Sequence, residues 1–335
     1  MKSTLVWTLL SLLVFCSCTS SPKMAVDHNL VFDQPIIMEM ESELALLNDE
    51  IIFLKDQFEF LLANRDSLLA YVDRNKYSFD GPFSTNTPKD SDQLSSVVIL
   101  NTTRDYDKSL ETAWLTNSMD TLFSQSYEKY GMLAQIYFNT ADQVSRVYPA
   151  YDAAALLDPG LDLTTFNFFY KGDLEHNPER GPVWIPEVYV DPAGRGWILS
   201  LIHPVYEGEE LFAVLGIDIT VDELINRYLA DQEGDFLIVN NKGDIVGGNA
   251  AAIEALSFPP LLNHVYRETI LADNFRISDF NLFNSKNSEV REMAKFILLE
   301  KKSHFFFEDE FSPEAAYAVP FSLLDWYLIE IEIRS

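Results

Sequence analysis

The chain has 335 residues, of which 47% are hydrophobic and 13% aromatic. This length suits two domains of roughly 100–150 residues each, and so apolar a composition excludes wholesale disorder. The formal net charge is −28, so the surface repels nucleic acid and anionic lipid headgroups, and we expect no nucleic-acid partner. Such a charge is compatible with cationic or neutral ligands, or simply keeps an exposed protein soluble.

The start of the chain has the pattern of an export signal. An apolar run over 5–15 follows a lysine and is too short to span a bilayer. It is followed by a small residue and then Cys18, a pattern that resembles a bacterial lipobox, although Phe15 stands where leucine is usual. We therefore expect 1–18 to be a lipoprotein signal peptide with Cys18 lipidated. An ordinary signal peptide that is cleaved nearby is the alternative.

The cysteines and the residue after Cys18 bear on location. Both cysteines lie in the leader, which leaves the mature chain without a disulfide framework, a cysteine nucleophile or a thiolate metal site. Thr19 is not the aspartate that retains lipoproteins in an inner membrane. We expect an extracytoplasmic, membrane-anchored lipoprotein on the periplasmic side, with the outer membrane as its address.

Residues 19–34 are predicted to be a tether, and 35–77 to be one long helix that starts at Pro35. Its apolar positions recur at alternating spacings of three and four; they are Ile37, Met40, Leu44, Leu47, Ile51, Leu54, Phe58, Leu61, Leu68 and Val72. A seam of this length is consistent with a coiled-coil homodimer through 35–77. It is equally consistent with a single helix packed along its own domains.

Two strand-rich units follow, at 95–230 and 231–335. The predicted strands are 97–100, 134–138, 144–148, 187–190, 197–206 and 211–219 in the first unit, and 236–239, 245–246, 303–308, 315–321 and 326–333 in the second. The short turns between them indicate antiparallel sheets. Thr220 and Glu223 form a capping-box pattern at the start of a helix over 221–230. Helices are also predicted around 250–256, 261–272 and 288–299. Because helices flank both sets of strands, the predicted fold class is α+β.

Several segments share the pattern of one family. They are 136–138 (IYF), 184–191 (WIPEVYVD), 204–206 (PVY), 215–220 (LGIDIT), 236–246 and 325–328 (DWYL). In this order they resemble the double-Cache, PAS-like extracellular sensor domains of bacterial chemoreceptors and histidine kinases. The resemblance covers roughly 35–335. It implies a long scaffold helix followed by a membrane-distal module at 95–230 and a membrane-proximal module at 231–335.

The resemblance also implies a ligand site in the first module. Amino-acid-binding members use an Arg-x-Trp-Tyr segment and the aspartate of the closing strand. Here Asn167 and Phe169 replace the arginine and the tryptophan, whereas Tyr170 and Asp218 are kept. Asparagine cannot grip a carboxylate bidentately as arginine does, but an aspartate among aromatic rings still holds an ammonium group. The pattern therefore favours an amine or another small metabolite over an α-amino acid.

We expect Asp218 to anchor a cationic group and Asn167 to be a neutral hydrogen-bonding group. The expected aromatic wall consists of Tyr148, Phe169, Tyr170 and Tyr189. Each of these rings could instead be ordinary core, and Asp218 could simply cap local backbone.

The sequence carries no signature of catalysis. Its five histidines are scattered, and it contains no nucleophile elbow, phosphate loop or dinucleotide fingerprint. We expect no enzyme, no metal and no cofactor; a carboxylate-based hydrolase is the only enzymatic form that the residue inventory permits.

The prediction for function is a lipid-anchored, small-molecule-binding sensor without a signalling domain of its own, which would act through a membrane protein partner. The alternative is a structural or interaction lipoprotein that assembles through its long helix and binds no ligand.

Overall fold

The computed structural model describes residues 28–84, 93–259, 261 and 278–334. It confirms the α+β class: a long helix is followed by two modules, each built on an antiparallel sheet. The predicted signal peptide with Cys18, most of the tether and most of a helix predicted over 261–272 lie outside the described residues. Among the helices described, none is both long and apolar enough to cross a bilayer.

The helices are α1 His28–Ala63, α2 Arg65–Leu69, α3 Tyr106–Leu115, α4 Met119–Lys129, α5 Ala153–Leu156, α6 Asn167–Tyr170, α7 Val221–Tyr228, α8 Ala250–Ala255 and α9 Ser288–Ala294. Short 3₁₀ turns occur at Thr116–Ser118, Leu163–Thr165, Ser278–Phe280 and Leu282–Asn284, and a π turn at Lys295–Leu299. The strands are β1 Phe79–Asp80, β2 Phe83–Ser84, β3 Ser96–Ile99, β4 Gln135–Thr140, β5 Val144–Tyr148, β6 Val183–Val190, β7 Trp197–Glu207, β8 Glu210–Thr220, β9 Phe236–Asn240, β10 Ile245–Gly248, β11 His304–Phe306, β12 Ala315–Pro320 and β13 Trp326–Glu332.

The first sheet has the order β1-β2-β3-β5-β4-β8-β7-β6, with every neighbouring pair antiparallel. Side chains alternate between its faces. In β4, Ile136 and Phe138 face the core under α1, whereas Gln135, Tyr137 and Asn139 face the other side. The sheet therefore presents one face to the long helix and the opposite face to the segment 151–170.

The second sheet has the order β10-β9-β13-β12-β11 and is also antiparallel. One face packs on α8 and α9 through a cluster that includes Leu237, Ile253 and Met293. The other face contributes Phe236, Leu328 and their neighbours to the core under α1. The predicted cap is confirmed: the backbone N–H of Glu223 donates to Thr220 Oγ1 at 3.1 Å, at the start of the helix that joins the modules.

Helix α1 packs along both modules. Its seam from Ile37 to Leu61 is 0–7% exposed and lies against strands of both sheets. The seam is thus buried within the chain itself, as the single-helix alternative predicts, and these side chains are not available for a coiled coil. A prediction that the helix starts at Pro35 is wrong, because α1 begins at His28 and contains the proline.

The predicted end of the helix is also wrong. Helix α1 stops at Ala63, and Asn64 leaves helical geometry with φ −111° and ψ 18°. The Asn64 side chain donates Nδ2–H to the Phe60 carbonyl at 2.8 Å, and the Asn64 backbone N–H donates to the same carbonyl at 3.2 Å. The short α2 follows, and residues 70–77 are not helical.

Candidate ligand-binding site

A small buried cavity lies between the first sheet and the segment 151–170. Its polar and aromatic walls are Gln135, Asn139, Ser145, Asp191 and Asp218 together with Tyr137, Tyr151, Phe168 and Tyr189, and aliphatic side chains complete it. Its volume is about 40 Å³. That space holds about three water molecules. A larger ligand therefore requires the covering segment to move outward.

Asp218 lies at the centre of the polar wall and is 1% exposed. Ser200 Oγ donates to Oδ1 at 2.6 Å, and Gln135 Nε2 donates to Oδ2 at 2.6 Å. Ser200 is in turn 2.7 Å from the Tyr189 hydroxyl. Burial, and then the neighbouring charge of Asp191, raise the pKa of Asp218 to about 8.

Asp191 is the second carboxylate of the site and is 3% exposed. It accepts from the backbone N–H groups of Ala193 and Arg195, each at 3.0 Å, and from Gln135 Nε2 at 3.1 Å. Burial raises its pKa despite these hydrogen bonds. A single amide group, that of Gln135, therefore bridges two buried carboxylates.

The cavity offers several buried hydrogen-bond acceptors. Besides the two carboxylates, Gln135 Oε1 and Asn139 Oδ1 are buried without a hydrogen-bond partner among the described residues. Buried polar atoms in native proteins are normally paired, so these four groups are suited to a ligand that donates several hydrogen bonds. Carboxylates among the acceptors favour a donor that carries positive charge.

Aromatic rings form the other side of the cavity. Phe168 meets Tyr137 edge-on with centroids 5.9 Å apart, and it stacks on Phe166 at 5.0 Å with the planes only 13° apart. Tyr189 lies 6.3 Å from Phe168. The rings give this side of the cavity an apolar surface on which the non-polar part of a ligand can pack.

The structure brings two of the predicted site residues, Asp218 and Tyr189, into the cavity wall. The other predicted members from α6 do not line it, which corrects the predicted wall. Asn167 and Phe169 are buried beside the cavity at 0% and 5% exposure, while Tyr170 is half-buried against the His176 ring at 5.3 Å. Successive helical residues are about 100° apart, so when Phe168 faces the cavity its neighbours do not.

Tyr148 is also outside the cavity, which is a further correction. It pairs with Ile136 across the sheet, and its ring packs edge-on against Tyr127 at 5.5 Å under the long helix. Its neighbour Val147 lines the cavity instead. The strand's two-residue alternation decides this, since adjacent side chains point to opposite faces.

Most of the cavity lining was missed from the sequence, although Asp191 in the lining and Gly216 next to it carried a signal. Asp191 closes the 184–191 segment that resembles the family pattern, and Gly216 is a glycine within a strand, which often marks a close approach. A Cβ on Gly216 would lie 2.1 Å from Tyr137 Cζ, so the tyrosine ring packs directly over the glycine. Gln135 carried no local signal. Within the described residues, no group of three or more His, Cys, Asp or Glu side chains is placed to hold a metal ion.

Comparisons with known proteins found solved structures only: no family model and no curated protein matches the sequence. The ligand-binding domain of the Pseudomonas fluorescens chemoreceptor CtaA, in complex with L-serine, is 14% identical with a TM-score of 0.43, over 64% of this chain and 81% of that one. The ligand-binding domain of the Campylobacter jejuni chemoreceptor Tlp3, in complex with 4-methylisoleucine, is 12% identical with a TM-score of 0.42. The match covers 87% of this chain and 91% of that one. The ligand-binding domain of the Pseudomonas aeruginosa chemoreceptor PctB, in complex with L-Gln, is 14% identical with a TM-score of 0.42. The match covers 86% of this chain and 90% of that one. The chain is similar to each of these ligand-binding domains.

Proposed function

We propose that this protein is a sensor-like binding protein that takes a small molecule with a cationic amine group into the cavity of its first module. The observation that carries this is the pair Asp191 and Asp218, both buried and both facing the cavity. Neither forms an ion pair within the described residues, and the Arg195 charge only partly offsets the rise in the pKa of Asp191 that burial causes. Buried carboxylates are costly unless paired, and a cationic ligand would supply the missing partner.

The lining also supports an amine over an amino acid. An α-amino acid brings a carboxylate, which needs a cationic or donor-rich clamp. The described residues that line the cavity include no lysine or arginine, and Asn167 stays behind the wall. A third carboxylate, brought by the ligand next to Asp191 and Asp218, would be repelled. The chemoreceptor domains compared above bind amino acids, so this chain is proposed to differ from them in ligand class.

The test is a thermal-shift screen of the full chain against primary amines, amino acids, carboxylates and purines. A ligand at a hundredfold excess over Kd stabilises the native state by about 2.7 kcal/mol, so a true ligand gives a clear shift. We expect primary amines to raise the melting temperature of the wild type. Asp218→Asn and Asp191→Asn should each remove that shift while the protein stays folded. Absence of a shift with every amine, in a folded wild type, would overturn the proposal.

One observation favours the alternative without a ligand. The cavity is nearly filled by its own side chains, at about 40 Å³. A structural or interaction protein would keep it so, and a screen in which no compound of any class binds would support that reading.

We also propose that the protein is anchored to the outer membrane, on its periplasmic side, through Cys18 and passes its signal to a membrane protein partner. The leader pattern before Cys18 supports the anchor. Labelling with a palmitate analogue in a bacterial host, with Cys18→Ala and Cys16→Ala as a matched pair, tests it. Label that is lost in Cys18→Ala and kept in Cys16→Ala is expected; label kept in both overturns it.

A further inference from the structure

We propose that Gln135 is the resident occupant of the cation subsite and that a ligand's primary ammonium group must displace its side-chain amide, an inference that rests on the amine-binding function proposed above. Gln135 is 3% exposed and lies on β4 in the middle of the sheet. Its Nε2 donates to Asp218 Oδ2 at 2.6 Å and to Asp191 Oδ1 at 3.1 Å. The amide nitrogen thus occupies the point from which one nitrogen reaches both carboxylates.

The two carboxylates are held in place by groups other than Gln135. Asp218 is fixed by the Ser200 hydroxyl, and Asp191 by two backbone N–H groups of the turn that follows it. Removing the glutamine side chain therefore leaves both acceptors where they are. The subsite is therefore preformed. The neutral amide of Gln135 occupies the place in which a positive charge would pair with the two carboxylates.

A primary ammonium group fits this subsite better than the amide does. It offers three N–H donors and a positive charge, whereas the amide offers two donors and none. Two donors would satisfy Asp191 and Asp218. The third would reach Oε1 of the displaced Gln135, which is buried without a hydrogen-bond partner among the described residues. A quaternary ammonium has no N–H to offer, so this geometry selects primary amines and rejects quaternary ones.

Substitutions at Gln135 test the inference with and without a ligand. Gln135→Lys tethers an ammonium group beside the carboxylates, and Gln135→Met keeps the side-chain length without a donor. We expect the lysine variant to melt at a higher temperature than the methionine variant. Asn139→Lys is the matched control, because it places a lysine in the same cavity but away from the bridged carboxylates, and it should lower the melting temperature relative to wild type.

Binding is then measured by calorimetry with ethylammonium chloride and tetramethylammonium chloride. We expect ethylammonium to bind Gln135→Ala at least tenfold more tightly than wild type and not to bind Gln135→Lys. Tetramethylammonium should bind none of them. Circular dichroism confirms that each variant is folded.

The outcomes separate this inference from the proposed function. If neither wild type nor Gln135→Ala binds ethylammonium, amine binding fails, yet a lysine variant more stable than the methionine variant still supports occupancy of the subsite. If ethylammonium binds wild type and Gln135→Ala equally, or if Gln135→Lys is no more stable than Gln135→Met, the inference on Gln135 is overturned while the amine function stands.

Discussion

The indole nitrogen of Trp326 donates to the carbonyl oxygen of Pro186 at 2.8 Å, and this hydrogen bond joins the second module to the strand that carries the cavity wall. Trp326 opens β13 and is 1% exposed. The next residue of β6, Glu187, accepts from Lys171 at 3.2 Å and from Lys242 at 2.6 Å. Consecutive residues of β6 therefore contact the second module a few residues before the strand reaches the cavity.

Trp326→Phe should weaken this junction. The substitution removes the indole N–H and leaves a part-buried carbonyl without its donor, at an expected cost of about 1–3 kcal/mol in the free energy of unfolding. Urea denaturation measures it. Trp114→Phe is the control, since Trp114 lies half-buried away from the junction with Arg74 over its ring at 4.8 Å. An equal loss of unfolding free energy in both variants would show that the hydrogen bond from Trp326 to Pro186 does not stabilise the junction.

The pKa of Asp218 predicts how stability depends on pH. Burial raises it from 3.8 to about 8, so between these values the native state keeps a proton that the unfolded chain has released. The resulting stabilisation is complete below the unfolded pKa and is lost as the pH rises through 8. Asp120 has the opposite effect. Burial alone would raise its pKa, but the charge of Arg146 chiefly lowers it, so Asp120 stabilises the native state at higher pH. The pH dependence of wild-type stability therefore combines opposing contributions.

The difference in the free energy of unfolding between wild type and Asp218→Asn isolates the contribution of Asp218 to the pH dependence. Across that window the wild type should lose stability relative to the variant, by up to about 1.4 kcal/mol per pH unit. Urea denaturation at several pH values measures it, with the surface change Glu254→Gln as control. A flat difference would show that Asp218 is ionised in the native state at neutral pH. An amine should also bind more tightly as the pH rises toward 8, because it pairs with the ionised carboxylate.

Gly216→Ala should close the site. The new methyl group would meet the ring of Tyr137, whose Cζ is 2.1 Å from the Cβ position, so the ring must shift toward the cavity. We expect loss of the amine-induced thermal shift and a stability cost of about 1–3 kcal/mol from overpacking. Gly131→Ala is the matched control, since no atom lies within 4 Å of its Cβ position. Unchanged amine binding in Gly216→Ala would show that Tyr137 does not border the ligand.

Two adjacent leucines of α1 test what the helix seam does. Leu47 is fully buried against the modules, whereas Leu46 is 52% exposed. Leu47→Ala should lower the free energy of unfolding by about 2–5 kcal/mol, and Leu46→Ala should change it by only about 0.5 kcal/mol. Analytical ultracentrifugation supplies the second readout. If Leu47→Ala dissociated a dimer and left the monomer equally stable, the seam would be an interface between chains after all.

Local patterns in the chain were sufficient to predict most secondary-structure elements and the fold class. Alternating apolar residues, turn residues and the Thr220–Glu223 cap predicted the hairpins, the joining helix and the α+β class, because these signals act over a few residues. The resemblance of 184–191 and 215–220 to double-Cache segments also singled out Tyr189 and Asp218, which line the cavity.

The burial of the helix seam and the contacts between the polar groups of the cavity depend on the tertiary fold. Gln135 lies 56 residues from Asp191 and 83 from Asp218, and sheet register alone places it opposite Asp218. The faces shown by Phe168 and Tyr148 depend on helix phase and strand alternation. A shift of one residue turns a helical side chain by about 100° and moves a strand side chain to the opposite face. Contacts of this kind arise from packing between distant segments, so no local pattern in the chain predicts them.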